Sequence, residues 1–306
     1  MSSSHMPERI ILILLTIVLY LVTLVVNALA AQGGVELGLF KTNMADISEA
    51  YKLEITSAGL MFSVWDAIYI WQALWLVYGL STICRMKGGH YIYTLDFMPP
   101  AVYIIFIIYL CCNIIWLFLW DNQYVFTALC LIAMTPFTLY FTLYICSSRL
   151  YRNMTKGASC VDIWLVRFLV QNGMAFYATW TFLAAVLNLD TVLSHWHRQG
   201  QDTASTAILV ILFVEVVVWF IIDIFLYDKY TRYIFSPYLM RVIVFSGLVK
   251  NDYAFDTIYH DSALIITLLV VAVAMLFLKI SILVFRHITS PIISKKLAPI
   301  TVNLAI

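Results

Sequence analysis

The sequence predicts an all-α fold, a polytopic bundle of transmembrane helices, and three observations lead to this class. Hydrophobic residues make up 63% of the 306 residues and charged residues only 11%, whereas soluble domains carry about 25% charged residues. The hydrophobic residues gather in runs long enough to cross a bilayer, which takes roughly 20 helical residues. Most lysines and arginines lie between these runs and mainly on one side, as in multi-pass membrane proteins.

Eight apolar segments can be delimited along the chain. They are residues 9–31, 57–84, 98–120, 123–147, 162–189, 205–227, 232–249 and 262–287. The seventh is short and contains Pro237, Arg241 and Gly247, so its membrane-spanning character is judged from the charges of the loops. Eight spans place eleven lysines and arginines on one side and four on the other, whereas omitting the seventh gives ten and six. The positive-inside rule therefore predicts eight spans with both termini in the cytosol.

The second segment carries an acidic residue among aromatic ones. Asp66 is flanked by Trp65 and followed by Tyr69, and helical spacing places Phe62, Asp66 and Tyr69 on one face. A carboxylate at the centre of a lipid-facing helix costs about 2.5 to 3.5 kcal/mol. We therefore expect Asp66 to face other helices, in a buried pocket walled by aromatic side chains.

Two further ionisable residues are predicted near the middle of the membrane. Counted from the segment edges, Glu215 and Arg241 lie as deep as Asp66 and on consecutive segments. A structural ion pair between Glu215 and Arg241 is the favoured interpretation. The alternative is an ion or proton pathway built on Asp66, Glu215 and Arg241. The charged residues nearer the cytosolic edge are expected to snorkel, and they are Arg167, Asp223 and Lys279.

Several function classes find no support in the sequence. No basic tract marks a nucleic-acid-binding surface, and the six cysteines form no CxxC pair that would indicate a metal site. His195 and His197 are interpreted as an exposed loop pair rather than as metal ligands. No GxSxG or HExxH motif is present, and we predict that the protein is not an enzyme.

Three stretches resemble the TspO/MBR group, the tryptophan-rich sensory proteins. TSAGLMFSVWDAIYI (56–70) is similar to the first signature of that group, and CNIIWLFLW (112–120) is similar to its second-hairpin motif. WLVRFLVQNGMAFYATWTFLAAVLN (164–188) resembles the fifth-helix pattern. The members of that pattern here are Tyr177, Trp180, Ala184, Leu187 and Asn188.

The resemblance implies a five-helix core that binds porphyrins, sterols and other flat apolar molecules, often as a homodimer. The sequence departs from the family at Ser57, where the family has proline, and at Asp66, where it has a small residue. The motifs mark Trp65, Trp116, Trp120, Tyr177 and Trp180 as candidate ligand contacts. Asn113 and Asn188 are amides in apolar helices, so an interhelical hydrogen bond and a ligand contact both remain open for them. The complete set of candidates for ligand binding is Phe62, Trp65, Asp66, Tyr69, Asn113, Trp116, Trp120, Tyr177, Trp180 and Asn188.

The chain is therefore divided into four parts. A cytosolic tail (1–8) precedes the TspO-like core (9–190), a three-helix extension (191–287) follows, and a second cytosolic tail (288–306) ends the chain. We expect a membrane protein that binds, transports or senses a small apolar or amphipathic ligand. An aromatic wall beside Asp66 favours a cationic ligand.

Overall fold

The computed structural model describes residues 5–31, 34–42, 58–154, 159–196, 201–254 and 262–292. The fold is a helical bundle, and each of the eight predicted segments contains a helix. The all-α prediction is therefore confirmed. The helices are α1 (Pro7–Ala31), α2 (Ala58–Cys84), α3 (Pro100–Asp121), α4 (Val125–Asn153), α5 (Cys160–Trp196), α6 (Gln201–Leu226), a short α7 (Asp228–Thr231), α8 (Ser236–Ala254) and α9 (Ser262–Thr289). The sequence also allows a short helix around residues 44–52, and this stretch falls outside the described residues.

Two short connections show how local sequence ends one helix and starts the next. Gln123 adopts a left-handed conformation (φ 62°) in the short connection between α3 and α4, and this tight turn makes the two helices an antiparallel hairpin. After α2, the strands β1 (Met86–Lys87) and β2 (His90–Tyr91) pair across Gly88 and Gly89. Both glycines have positive φ, which is the conformation that a two-residue hairpin loop requires.

Helix α5 is the centre of the bundle. It packs against α4, α2, α6 and α8. In its most apolar stretch 67% of the residues are buried, against 17% in that of α9. A helix that contacts protein on nearly all sides is apolar all round, which is why the motif residues on α5 reach the interior. The five-helix core and the extension therefore share this helix.

Within the described ranges, seven helices are long and apolar enough to span a membrane. Among the described residues, α8 does not belong to this set, although it was predicted as the seventh of eight spans. Its residues Tyr238 and Arg241 face protein rather than lipid, since both are buried within the bundle. The eight-span topology and the cytosolic placement of both termini therefore stay predictions.

Two helices contain π-helical turns. In α5 the turn covers Val166–Gln171, and in α6 it covers Ile222–Leu226. A π-turn adds a residue to the helix and changes which face the following side chains occupy. Each turn carries one buried ionisable residue, Arg167 in α5 and Asp223 in α6. Neither residue snorkels towards the edge as expected.

Asn172 joins α5 to the start of α8. Its Nδ2 donates to the Tyr233 carbonyl at 2.8 Å and to the Arg167 carbonyl at 2.9 Å. Its Oδ1 accepts from the backbone N–H groups of Phe235 at 2.9 Å and Ser236 at 3.1 Å. The first N–H groups of a helix have no partner within the helix, so one buried side chain from α5 caps α8.

Asp228 ties the short α7 to the end of α9. Its carboxylate contacts Arg232 at 2.5 Å and Arg286 at 2.6 Å, and Arg232 also donates to the Ser290 carbonyl at 2.7 Å. Partial burial raises the pKa of Asp228, but the hydrogen bonds and charges of Arg232 and Arg286 outweigh it and hold the pKa below its usual value.

We expect the Asp228→Asn variant to be less stable than the wild type at pH 7 by about 1 kcal/mol, because the pair is partly exposed. A carboxyl with a lowered folded pKa stabilises the fold above its unfolded pKa of about 3.9, and this stabilisation is lost as pH falls through the folded value. The difference in melting temperature between variant and wild type should therefore stay constant between pH 5 and 8 and shrink below about pH 4. Thermal unfolding in detergent between pH 3 and 8 measures this difference. A difference at pH 3 as large as that at pH 7 would contradict the ion pairs of Asp228.

Candidate ligand-binding site

Four aromatic side chains from α2 and α5 form what we call the aromatic cluster: Trp65, Tyr69, Tyr177 and Trp180. The ring of Trp65 stacks on Tyr69 with centroids 5.4 Å apart and meets Trp180 edge to face at 5.5 Å. It also meets Tyr177 edge to face at 6.3 Å. Edge-to-face and offset contacts of this kind are the favoured arrangements of aromatic pairs. The structure therefore brings together the predicted aromatic residues of the first and third motifs.

Two residues that the sequence analysis missed extend the cluster to α1 and α3. Tyr109 meets Tyr177 edge to face at 4.8 Å, and the Tyr20 hydroxyl donates to the Tyr69 carbonyl at 2.6 Å. The hydroxyls of Tyr109 and Tyr177 approach each other without forming a hydrogen bond of ordinary geometry. One signal could have found Tyr109, because it lies four residues before Asn113 and hence on the same face of α3.

The predicted tryptophans of the second motif form a separate group. Trp116 stacks near Trp120 with centroids 5.9 Å apart, and Trp116 packs with Ala128 of α4 and Ala185 of α5. It is 93% buried, being 7% exposed. The candidate residues thus occupy two neighbouring places along α5 rather than one.

The two predicted asparagines behave differently. Asn113 accepts a hydrogen bond from Nδ2 of Asn27 on α1 at 3.0 Å, which confirms the interhelical hydrogen bond for this residue. Asn188 donates to the Ala184 carbonyl of its own helix at 2.8 Å. Its Oδ1 is buried and accepts no hydrogen bond from the described residues.

Apart from the Tyr177 hydroxyl, which approaches that of Tyr109, three buried polar atoms of the predicted ligand contacts lack a hydrogen-bond partner within the described part of the chain. They are Nε1 of Trp116, Nε1 of Trp180 and Oδ1 of Asn188. A buried donor or acceptor without a partner costs about 1 to 3 kcal/mol, and most buried polar atoms in folded proteins are paired. Two unused donors and one unused acceptor among aromatic and small residues are suited to holding a ligand with polar atoms at its edge.

Asp66 does not have the predicted environment. Its side chain is exposed, whereas Val64 and Ile68 on the same helix are buried. Because α2 starts at Ala58, Asp66 also lies about 7 to 8 Å from the helix centre, on the N-terminal side. A carboxylate nearer the membrane surface can remain hydrated. The side chain of Phe62 lies outside the described residues.

Glu215 and Arg241 form the predicted ion pair. Arg241 donates to both carboxylate oxygens of Glu215, from Nε at 3.0 Å and from a terminal nitrogen, and its guanidinium lies 5.4 Å from the ring centre of Trp219. Among the described residues, Asp66 takes part in no ion pair. The three residues predicted near the midplane therefore lie at two separate places. Glu215 and Arg241 form one pair, and Asp66 lies apart from it.

A second buried ion pair lies between α6 and α9. Lys279 donates to Oδ2 of Asp223 at 2.7 Å, and Tyr238 donates to the same oxygen at 2.6 Å. Both charged side chains are only 2% exposed. The snorkelling predicted for them is wrong because each residue finds an opposite charge inside the protein.

Arg167 is buried without an acidic partner among the described residues. Its guanidinium lies 4.0 Å from the ring centre of Tyr233 and 5.0 Å from that of Trp164. Cation–π contacts of this kind can stabilise a desolvated cation by about 2 kcal/mol. The prediction that Arg167 snorkels to the edge is therefore wrong as well.

No group of three metal-ligating side chains occurs within the described ranges. His195 and His197, the loop pair considered from the sequence, lie outside the residues whose side chains are described.

The fold and this site define a class: a polytopic α-helical membrane protein whose bundle interior holds an aromatic cluster with unused hydrogen-bonding atoms. A family model described as TSPO-like protein matches residues 12–282. The chain belongs to this TSPO-like family, and the match runs past the five-helix core through α6, α7, α8 and most of α9. No curated protein matches the chain, and no solved structure does.

Proposed function

We propose that the protein is a non-enzymatic membrane binding protein whose ligand lies against the aromatic cluster and the neighbouring Trp116 and Asn188. The observation that carries this proposal is the pair of buried indole N–H groups, on Trp116 and Trp180, that donate to no described residue. Binding is the step that transport and sensing have in common, so the proposal does not depend on which of the two follows.

The polar atoms of the site favour a ligand with hydrogen-bond acceptors. Both indole groups are donors only, and Asn188 Oδ1 is an acceptor. Flat apolar molecules with carboxylate, carbonyl or ring-nitrogen acceptors fit this set, since their faces can stack on Trp65 and Tyr69. A porphyrin has this chemistry, and a sterol with its single hydroxyl matches it less fully.

The expectation of a cationic ligand has no support in the structure. It depended on a buried carboxylate at Asp66, and this side chain is exposed. We therefore propose a neutral or acidic ligand. The homodimer that the sequence resemblance implied remains a prediction.

The ion-pathway alternative also has little support. Arg241 donates to both carboxylate oxygens of Glu215, so the two charges compensate one another and the pair offers no site to a passing ion. We interpret the pair as structural.

The Trp180→Phe variant tests the proposed function. It keeps an aromatic ring in the cluster but removes the N–H group, so a ligand hydrogen bond worth about 1 to 1.5 kcal/mol should be lost. We expect the Kd for protoporphyrin IX to rise about 5- to 10-fold, measured by quenching of tryptophan fluorescence in detergent or nanodiscs. Trp116→Phe should act in the same direction.

The matched control is Trp164→Phe, because Trp164 lies on the same helix but is 44% exposed. Its Kd for protoporphyrin IX should equal that of the wild type. Wild-type affinity in both Trp180→Phe and Trp116→Phe would overturn the proposal.

A further inference from the structure

A cavity lies away from the aromatic cluster, between α4 and the end of α6. Its volume is about 360 Å³, within the range of about 300 to 1,000 Å³ that small-molecule sites occupy. The walls are largely aromatic and include Tyr140, Tyr144, Trp219 and Tyr227. None of the residues predicted from the motifs lines it.

Three polar atoms of the lining residues lack hydrogen-bond partners within the described part of the chain. They are Oγ of Ser147, Nε1 of Trp219 and Oδ1 of Asp223. Ser147 and Asp223 are 3% and 2% exposed, so water does not replace the absent partners at the surface. Unpaired buried polar atoms are uncommon in folded proteins, and three that belong to residues lining one cavity point to a site for a polar group.

The charge of Asp223 is already compensated. Its Oδ2 accepts from Lys279 at 2.7 Å and from Tyr238 at 2.6 Å, which leaves Oδ1 as an acceptor for a neutral donor. A cationic ligand would compete with Lys279, and an anionic ligand would meet the carboxylate. The cavity therefore favours an uncharged group that can both donate, to Asp223, and accept, from Trp219.

Several of the side chains that line the cavity are exposed at the surface of the bundle. Phe141, Tyr144 and Tyr227 line it and are each more than 40% exposed. They lie on helices that are apolar enough to span the membrane or at the end of one. A molecule dissolved in the bilayer can enter this crevice directly, with its apolar part against the rings.

We propose that this cavity is a second binding site, which takes a neutral membrane-dissolved alcohol with its hydroxyl towards Asp223 and Trp219 and its apolar body among the aromatic rings. A hydroxyl is the smallest group that donates and accepts at once, and Ser147 can serve it in either role. This site is independent of the proposed function, because the aromatic cluster lies elsewhere on α2 and α5.

Photolabelling of the full chain in phosphatidylcholine nanodiscs tests the proposal. The probe is a decanol that carries a diazirine on its chain, and the comparison probe is the same diazirine decane without the hydroxyl. Peptide mapping should place the alcohol label on residues 140–147 and 219–231, at least fivefold above the alkane label. Ten-fold excess of unlabelled decanol should remove this label, and the same excess of decane should not.

The variants Ser147→Ala and Trp219→Phe should each reduce the alcohol label in these peptides at least threefold. Ser148→Ala is the matched control, since Ser148 is the next buried serine on the same helix and does not line the cavity. Equal labelling by alcohol and alkane, or equal loss in Ser147→Ala and Ser148→Ala, would overturn the proposal. If a variant fails to fold, the competition between decanol and decane for the wild type still tests the proposal. Saturating protoporphyrin IX should leave the label unchanged, which separates this result from that of the first site.

Discussion

Replacing Lys279 by methionine should destabilise the protein by about 3 to 5 kcal/mol, the loss seen when one partner of a buried ion pair is removed. The variant leaves the Asp223 carboxylate 2% exposed with no cation beside it. The unfolding temperature in detergent should fall by about 10 °C, and differential scanning fluorimetry can measure it.

The double variant Lys279→Met with Asp223→Asn supplies the internal control. Removing both charges should recover most of the lost stability, because no unpaired ion remains. Lys250→Met is the matched single control, since Lys250 is exposed and its replacement should change stability by less than about 0.5 kcal/mol. If Lys279→Met behaves like Lys250→Met, the buried pair does not exist.

We expect single replacements of Glu215 and of Arg241 to lower the stability of the protein by different amounts. Glu215→Gln leaves a guanidinium that is 1% exposed and that cannot release its proton at working pH, so we expect a loss of about 3 to 5 kcal/mol. Arg241→Met leaves Glu215, which is 15% exposed and can bind a proton. That variant should lose about half as much.

A thermal-unfolding series over the two single variants and the double variant Glu215→Gln with Arg241→Met measures this coupling. The double variant should be more stable than Glu215→Gln alone, as the coupling energy of a contacting pair requires. Additive losses would show that the two side chains do not interact, and would revive the ion-pathway interpretation for Glu215.

The helices could be predicted from the sequence because the bilayer sets their length. The last apolar segment, 262–287, corresponds to Ser262–Thr289, and the first, 9–31, corresponds to Pro7–Ala31. The composition of α8 does not mark it as a span, since a helix that buries Arg241 against Glu215 does not need an apolar surface, and the span predicted there from the loop charges stays a prediction.

The candidate site was predicted in part. Trp65 and Trp180 do meet, 5.5 Å apart, as their motifs implied. The orientation of Asp66 could not be predicted, because α2 is apolar around most of its circumference and no periodicity indicates which face turns inward. Tyr109, Ser147 and Trp219 were missed for a related reason: an unpaired buried atom is a property of several helices packed together, and no short motif contains it.

The amide of Asn172 sets a narrow chemical requirement on the chain. Its donor side serves the Tyr233 carbonyl and its acceptor side serves the N–H of Ser236, and aspartate or leucine could fulfil at most one of these roles. The cap therefore ties the identity of residue 172 to the position of the start of α8, 64 residues further along the chain. An exchange of Asn172 would leave buried backbone groups at two places unpaired, one at Tyr233 and one at the start of α8.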